Sequence, residues 1–263
     1  MAVFGLVIGS FLNVVIHRVP AGLSLVPRSR CPRCEAPITA WQNVPVLSWI
    51  VLRGRCASCG SRISPRYPLV EAGTALAFAG VTWWWLSSGA DPGLGVWASA
   101  SMLLAYLYLA AVSIALALID LDTFRLPNAI VLPSILVFAV LSGTAALLGA
   151  EPWPLVRALL GGAALALFYG ALRLLWRGGM GMGDVKLAAL LGAAMAWLGW
   201  GSLVVGGFAA FLLGGVFGVL LMFTGRAGRR SRIPFGPWMI LGAWVGIPAG
   251  QALADWYLST FLA

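Results

Sequence analysis

The chain has 263 residues, 61% of them hydrophobic and only 10% charged, with a mean hydropathy of +0.94. A water-soluble domain carries roughly 25% charged residues, so an ordinary soluble fold is excluded. Seventeen Lys and Arg stand against eight Asp and Glu, an excess that in so apolar a chain sets membrane orientation and does not point to nucleic acid.

A helix that crosses the hydrocarbon core needs about 20 apolar residues. Apolar stretches run at about 2–16, 69–88, 96–119, 129–150, 155–176, 187–200, 203–224 and 234–258. Backbone polar groups in hydrocarbon must pair internally, so each is expected to be helical. The sequence predicts an all-α polytopic membrane protein of about eight transmembrane helices with a small polar segment. The first stretch lacks a basic n-region and shows no clear cleavage pattern before Pro20. It reads as a short or N-terminally trimmed membrane helix in preference to a signal peptide. The expected units are a first helix at 1–16, a four-cysteine segment at 17–68 and a seven-helix core at 69–263.

The 17–68 segment carries all four cysteines, in two C-x-x-C turns: Cys31 and Cys34, then Cys56 and Cys59. Four thiolates at this spacing suit a tetrahedral Zn²⁺ ion, and a site filled by sulfur is structural and not catalytic. A segment of this size has too little core to fold firmly alone, a deficit that a metal offsets. A redox dithiol and a nucleic-acid-reading zinc ribbon are the weaker readings. The segment's eight arginines against Glu35 suit anionic lipid headgroups instead.

Charges at span ends are the best functional pointers in such a chain. Asp120 and Asp122 end the third stretch, and Asp184 opens the sixth after Gly178, Gly179, Gly181 and Gly183. Two carboxylates brought together cannot both ionise easily; one keeps a proton while the other activates water, which is equipment for amide hydrolysis. The glycines are expected to let the chain leave helical geometry and admit water and a peptide. On the bland reading Asp122 pairs with Arg125 and Asp184 is simply interfacial beside Lys186. Spacing alone does not choose between Asp120 and Asp122. The single histidine, His17, reads as interfacial beside Arg18, and no G-x-S-x-G, H-E-x-x-H or P-loop pattern occurs.

With 17–67 placed in the cytoplasm, sixteen of the seventeen basic residues fall on the inner side, Arg157 being the exception, while Asp91 and Glu151 fall outside. Both termini then face out, and both candidate aspartates lie at the inner face. Trp83, Trp84, Trp85, Trp97, Trp153 and Trp200 are expected at outer interfaces. Gly242, Gly246 and Gly250, and likewise Gly214 and Gly218, are expected to bring helices close.

Taken together, six ordered motifs resemble the type IV prepilin peptidases (prepilin leader peptidase/N-methyltransferases) over nearly the whole chain. They are Gly9 to Pro20, the paired C-x-x-C turns with Pro45 to Trp49 and Arg53 to Cys56 between and around them, Ser64 to Glu71, the Asp120 stretch, Gly181-x-Gly183-Asp184-x-Lys186, and Ile233 to Pro237. The resemblance implies a membrane aspartic endopeptidase of the bacterial inner membrane that removes the leader of prepilins and pseudopilins after a glycine. It also implies N-methylation of the new N-terminus by S-adenosylmethionine. It selects Asp120 with Asp184 as the catalytic pair, with Gly181, Gly183 and Lys186 as loop support, and makes Glu71 a candidate for the methylation half. Two departures stand out: only eight residues precede Gly9, and Asn128 follows Pro127 where many relatives have Asp. A peptidase without methylation and an ion-coupled transporter are the competing functions; the transporter suffers from the lack of an internal repeat.

Overall fold

Hydrocarbon-compatible chain has only one way to satisfy its backbone without closing a barrel, and the helix is what the computed structural model shows throughout. It describes residues 1–26, 29–88, 94–149, 151–175, 180–225 and 233–261. Gly178, Gly179, Asp91, Arg28, Arg177, Arg226, Arg229, Arg230 and Arg232 lie outside the described residues. Among the described residues the helices are α1 (Ala2–Arg18), α2 (Leu47–Val51), α3 (Arg66–Ser87), α4 (Val96–Thr123), α5 (Asn128–Leu147), α6 (Pro152–Leu175), α7 (Met182–Leu198), α8 (Trp200–Phe223), α9 (Gly236–Val245) and α10 (Gln251–Phe261). A π-helical turn, Gly246–Gly250, joins the last two. Each expected apolar stretch coincides with a helix, α9 to α10 counting as one rod. Four helices, α4, α5, α6 and α8, are long and apolar enough to cross a membrane by length and composition.

Helix α4 is the hub. It packs against α1, α3, α5 and α9, and Met102, Ala105, Tyr106 and Leu116 along it are fully buried. The Tyr106 hydroxyl donates to the Ala194 carbonyl of α7 at 2.8 Å, which satisfies the polar tip of a buried ring. The outer helices instead expose Val204, Phe208 and Leu212 of α8 and Leu159 and Leu167 of α6, faces that suit lipid.

Small residues set the close contacts. A Cβ on Gly5 would lie 2.7 Å from Ala75 Cα, and one on Gly9 would lie 2.7 Å from Glu71 Cα, so α1 is seated directly on α3. Gly242 and Gly246 meet the backbone of Gly206, Ala210 and Ser202 in the same way, as expected for the last rod. Gly218 meets Ile233 only at an ordinary 3.7 Å, so the paired-glycine face of α8 is looser than expected. The short 187–200 stretch meets the next one at Gly199, two residues before the expected spacer, with the Gln251 side chain packed against it. Gln251 Oε1 accepts the Gly201 N–H at 3.1 Å, so this amide caps the first turn of α8. Of the six tryptophans expected at outer interfaces, Trp83, Trp97, Trp153 and Trp200 are exposed. Trp84 and Trp85 turn inward onto Tyr106, with ring centroids 5.5 Å away in both cases.

Candidate active site

One end of the bundle carries a set of polar contacts between charged and amide side chains. There Arg66, at the start of α3, forms a bidentate pair with Asp122 at the end of α4, at 3.0 and 2.6 Å. Lys186 Nζ in α7 donates to Asn128 Oδ1 at the start of α5, 2.8 Å, and Asn13 Nδ2 in α1 donates to the Tyr67 carbonyl, 3.1 Å.

Asp120 sits in the last turn of α4 and is buried, 4% exposed. The helix stops just beyond it because Phe124 adopts a left-handed conformation (φ 54°, ψ 33°) and returns its N–H to the Asp120 carbonyl at 2.8 Å, an αL cap. The Asp120 carboxylate accepts the Gly236 N–H through Oδ2 at 3.0 Å. Gly236 opens α9, 116 positions away. A Cβ there would lie 2.6 Å from Asp120 Oδ2, so only glycine admits the carboxylate.

Asp184 sits in the first turn of α7. Its Oδ2 accepts the N–H of Gly181, the residue before the helix, at 2.8 Å. An acid reaching back to the N-cap is half of a capping box and complements the helix dipole. Gly181 is extended, but Gly183 is helical, so Gly183 does not break the helix as expected. Its smallness serves packing: a Cβ would lie 2.8 Å from Leu126 Cβ. Leu126 also approaches the Gly236 position, 3.5 Å from its ideal Cβ. Asp120, Gly236, Leu126, Gly183 and Asp184 thus form one continuous patch. Asp184 lies within electrostatic reach of Asp120 and of the buried Tyr169, and Arg173 lies within reach of Asp184.

The two candidates that spacing left open differ in their surroundings. Asp120 turns inward to the patch, whereas Asp122 is half-exposed and engaged by Arg66. The Asp122–Arg125 pair of the bland reading does not form, since the αL cap ends the helix before Arg125 and destroys the spacing. Lys186 reaches Asn128 and ties α7 to α5 beside the patch. Gly236 and Tyr169 were not singled out as site residues by the sequence; a glycine 116 positions from its aspartate leaves no local signal.

The four cysteines converge. Their sulfurs all lie within 4.8 Å of one another, and all four are free thiols, so the cluster can hold a metal ion. Two equivalent turns build it. In each, the first cysteine's N–H bonds the carbonyl five residues on, Cys31 to Ala36 and Cys56 to Ser61. Glu35 and Gly60, each following its turn's second cysteine, take the left-handed conformation. Cys31 is brought down to about 6 by the N–H groups of Arg33 and Cys34, with the Ser61 hydroxyl adding to them. Cys34 receives the Ala36 N–H, yet the sulfurs around it, led by Cys59, leave it raised to about 11.

Glu71 is buried in α3 and accepts the Val46 N–H through Oε2 at 2.7 Å, with Ser10 beside it. Val46 has φ 60° and ψ −49°, and the Leu47 N–H bonds the Pro45 carbonyl across it at 2.6 Å. This is a γ-turn of the rare strained hand, on a β-branched residue that avoids positive φ. Glu71 therefore holds the cysteine segment to the bundle through its most strained turn.

Residues 3–85 match the family described as Bacterial Peptidase A24 N-terminal domain, and residues 107–219 match the Type IV leader peptidase family. A prepilin leader peptidase/N-methyltransferase of Aeromonas salmonicida is 39% identical, over 98% of this chain and 93% of the relative. Proteins of the same description from Neisseria gonorrhoeae and Pseudomonas aeruginosa are 35% and 34% identical, over 98% and 97% of this chain and 93% and 91% of theirs. No solved structure matches the chain.

Proposed function

The chain belongs to the type IV leader peptidase family, and on that premise we propose that it removes prepilin leaders with Asp120 and Asp184 as its catalytic pair. It is a polytopic membrane enzyme of prepilin processing, peptidase and N-methyltransferase, as its full-length relatives are. The observation that carries the pair is the glycine-lined patch: each carboxylate has its Oδ2 fixed by a glycine N–H, which leaves Oδ1 for water or the scissile carbonyl. One carboxylate draws a proton from water while the protonated partner donates to the carbonyl oxygen, and the roles reverse as the amine leaves. Gly181, Gly183 and Lys186 support the pair, Lys186 through Asn128.

The substrate's apolar helix lies in the bilayer and its basic leader stays outside it. Cleavage after a glycine at the cytoplasmic face suits an active site at the end of the bundle where Arg18, Arg30, Arg33, Arg53, Arg55, Arg62, Arg66 and Arg125 accumulate. We place the cysteine segment on the same side of the inner membrane, with units at 1–16, 17–68 and 69–263 and eight crossings. Lipid and the prepilin helix are its partners.

Zinc is the metal proposed for the cysteines. A tetrahedral ion with bonds of about 2.3 Å sets its sulfurs about 3.8 Å apart, and Cys31 and Cys59 Sγ are 3.9 Å apart. S-adenosylmethionine would supply an activated methyl group for the new amine nitrogen, its sulfur keeping the electron pair of the broken C–S bond and water taking the amine proton. Glu71 serves that half as a positioning residue, through Val46.

Purified Asp120→Asn and Asp184→Asn variants, incubated with a prepilin, are expected to lose leader removal while eluting as the parent does. Cleavage at the parental rate by either variant would remove that residue from the pair.

A further inference from the structure

We propose that the methyl donor, S-adenosylmethionine, binds in the open cavity bordered by the end of α1, the start of α3 and the end of α4. This rests on the methylation reading above and assigns it a place. The cavity measures ≈ 600 Å³, within the range of about 300–1,000 Å³ typical of small-molecule sites. A second cavity, between α5, α6 and α7, is ≈ 160 Å³ and lined mainly by apolar side chains such as Ile135, Phe138, Leu155 and Leu190. It is too small and too apolar for a zwitterion carrying a sulfonium charge.

The donor presents a flat base, ribose hydroxyls, a cationic sulfur and an amino-acid end with both charges. The cavity offers a counterpart to each. Asp122 and Arg66 bring both signs of charge to its wall. The carboxylate suits the sulfonium and ammonium, and the Arg66 Nε–H, not used by Asp122, suits the donor carboxylate. Tyr67 and His17 provide flat rings with polar edges. Asn13 spends its amide N–H on the Tyr67 carbonyl, which fixes the side chain and leaves Oδ1 without a hydrogen bond among the described residues. Such convergent polar groups on a concave surface mark a ligand site.

Position adds a second, independent argument. A cleaved prepilin stays anchored by its apolar helix, so its new α-amine remains at the depth of the cut. The donor must therefore meet it at that depth. Asp122 and Thr123 line the cavity two and three residues beyond Asp120 on the same helix, which places wall and carboxylate within about 5 Å in depth at 1.5 Å per residue. Residues two apart on a helix face opposite ways, so the end of α4 turns Asp120 to the cleavage patch and Asp122 to this cavity. The cavity also lies on the seam between the two matched segments, α1 and α3 falling in residues 3–85 and the end of α4 in 107–219. Neither segment alone forms its walls.

The test uses the full-length protein in detergent. Ultraviolet cross-linking with S-adenosyl-L-[methyl-³H]methionine is expected to label a peptide containing residues 13–21, 64–67 or 122–123, and excess S-adenosylhomocysteine is expected to suppress the label. Ala21→Trp adds bulk at an exposed turn on the cavity wall and is expected to weaken S-adenosylhomocysteine binding tenfold or more. Asn13→Ala is expected to do the same, but it also removes a bond to Tyr67, so Ala21→Trp is the deciding variant. Competed label elsewhere, or parental affinity in Ala21→Trp, overturns the assignment while N-methylated product shows that methylation itself stands. Parental protein that neither binds the donor nor methylates a processed prepilin overturns both.

Discussion

Gly236 lies so close over Asp120 that a methyl group on its α-carbon would lie 2.6 Å from the carboxylate oxygen it binds. The same residue both donates to the carboxylate and, by lacking a side chain, makes room for it. Gly236→Ala is expected to push the carboxylate aside and lower leader cleavage about a hundredfold, the typical effect of a misplacement of about 1 Å. The overpacking should destabilise the protein by about 1–3 kcal/mol. Cleavage rates and thermal melting in detergent check both; parental kinetics would show that the contact does not position Asp120.

A second close approach makes a sharper pair of predictions. In Gly183→Ala the new Cβ meets Leu126 Cβ at 2.8 Å, so the α4–α5 connection must shift away from α7. Cleavage is expected to fall at least tenfold. Leu126→Ala keeps the offending Cβ and should not rescue it, whereas Leu126→Gly should restore part of the activity. Equal rescue by both would mean that the obstruction is the leucine's outer carbons instead. The coupling between the two positions, read from a double-mutant cycle, should be about 0.5–3 kcal/mol.

Metal retention should depend on pH in a definite direction. Ligation needs thiolates. At neutral pH Cys31, at about 6, is largely ionised, whereas Cys34, at about 11, still holds its proton. Loading the metal-free protein at pH 7 should therefore release protons, and affinity should fall as pH falls, most steeply once pH drops below about 6 and protons compete for Cys31 as well. Titration of zinc into weakly buffered apoprotein, with metal content by mass spectrometry, reads both effects. Cys56→Ser is expected to lower the content below one ion per chain.

The strained turn gives an opposite kind of prediction, a gain. Val46 occupies a conformation that glycine adopts freely, at a typical penalty of about 1–3 kcal/mol. Val46→Gly is expected to raise the melting temperature, while Glu71→Ala, which strips the turn of its acceptor, should lower it and reduce methylation. A lower melting temperature for Val46→Gly would show that the valine side chain contributes more than its backbone loses.

Much of the scaffold was legible because hydrocarbon leaves little choice: an uncharged run such as Val96 to Ile119 must be helical, and a carboxylate at its end must have a purpose. Partners were not legible. Asp122 looked to Arg125 three residues on, but the left-handed Phe124 cuts that spacing, and Arg66, 56 positions away, takes its place. Gly183 looked like a breaker and is a packing residue, because what matters is Leu126 across from it. Gly236 lay inside a motif with no chemistry of its own, and its N–H acquires a role only when α9 folds against α4. Local pattern sees propensity and charge; it does not see which backbone donor ends up beside which acid.

The seating of α1 on α3 through Gly5 and Gly9 brings together the two ends of everything between them. A loop whose ends already touch has its closure entropy borne by the helices beneath it, so an insert there can lengthen, shorten or vanish with little effect on the bundle's folding. The cysteine segment is such a graft, with one exception. Removing it would strip Glu71 of the Val46 donor and leave a carboxylate sunk between helices with Ser10 as its remaining partner among the described residues. A chain of this architecture without the graft should therefore carry something other than a carboxylate at position 71. That single side chain marks where a detachable appendage became part of the machine.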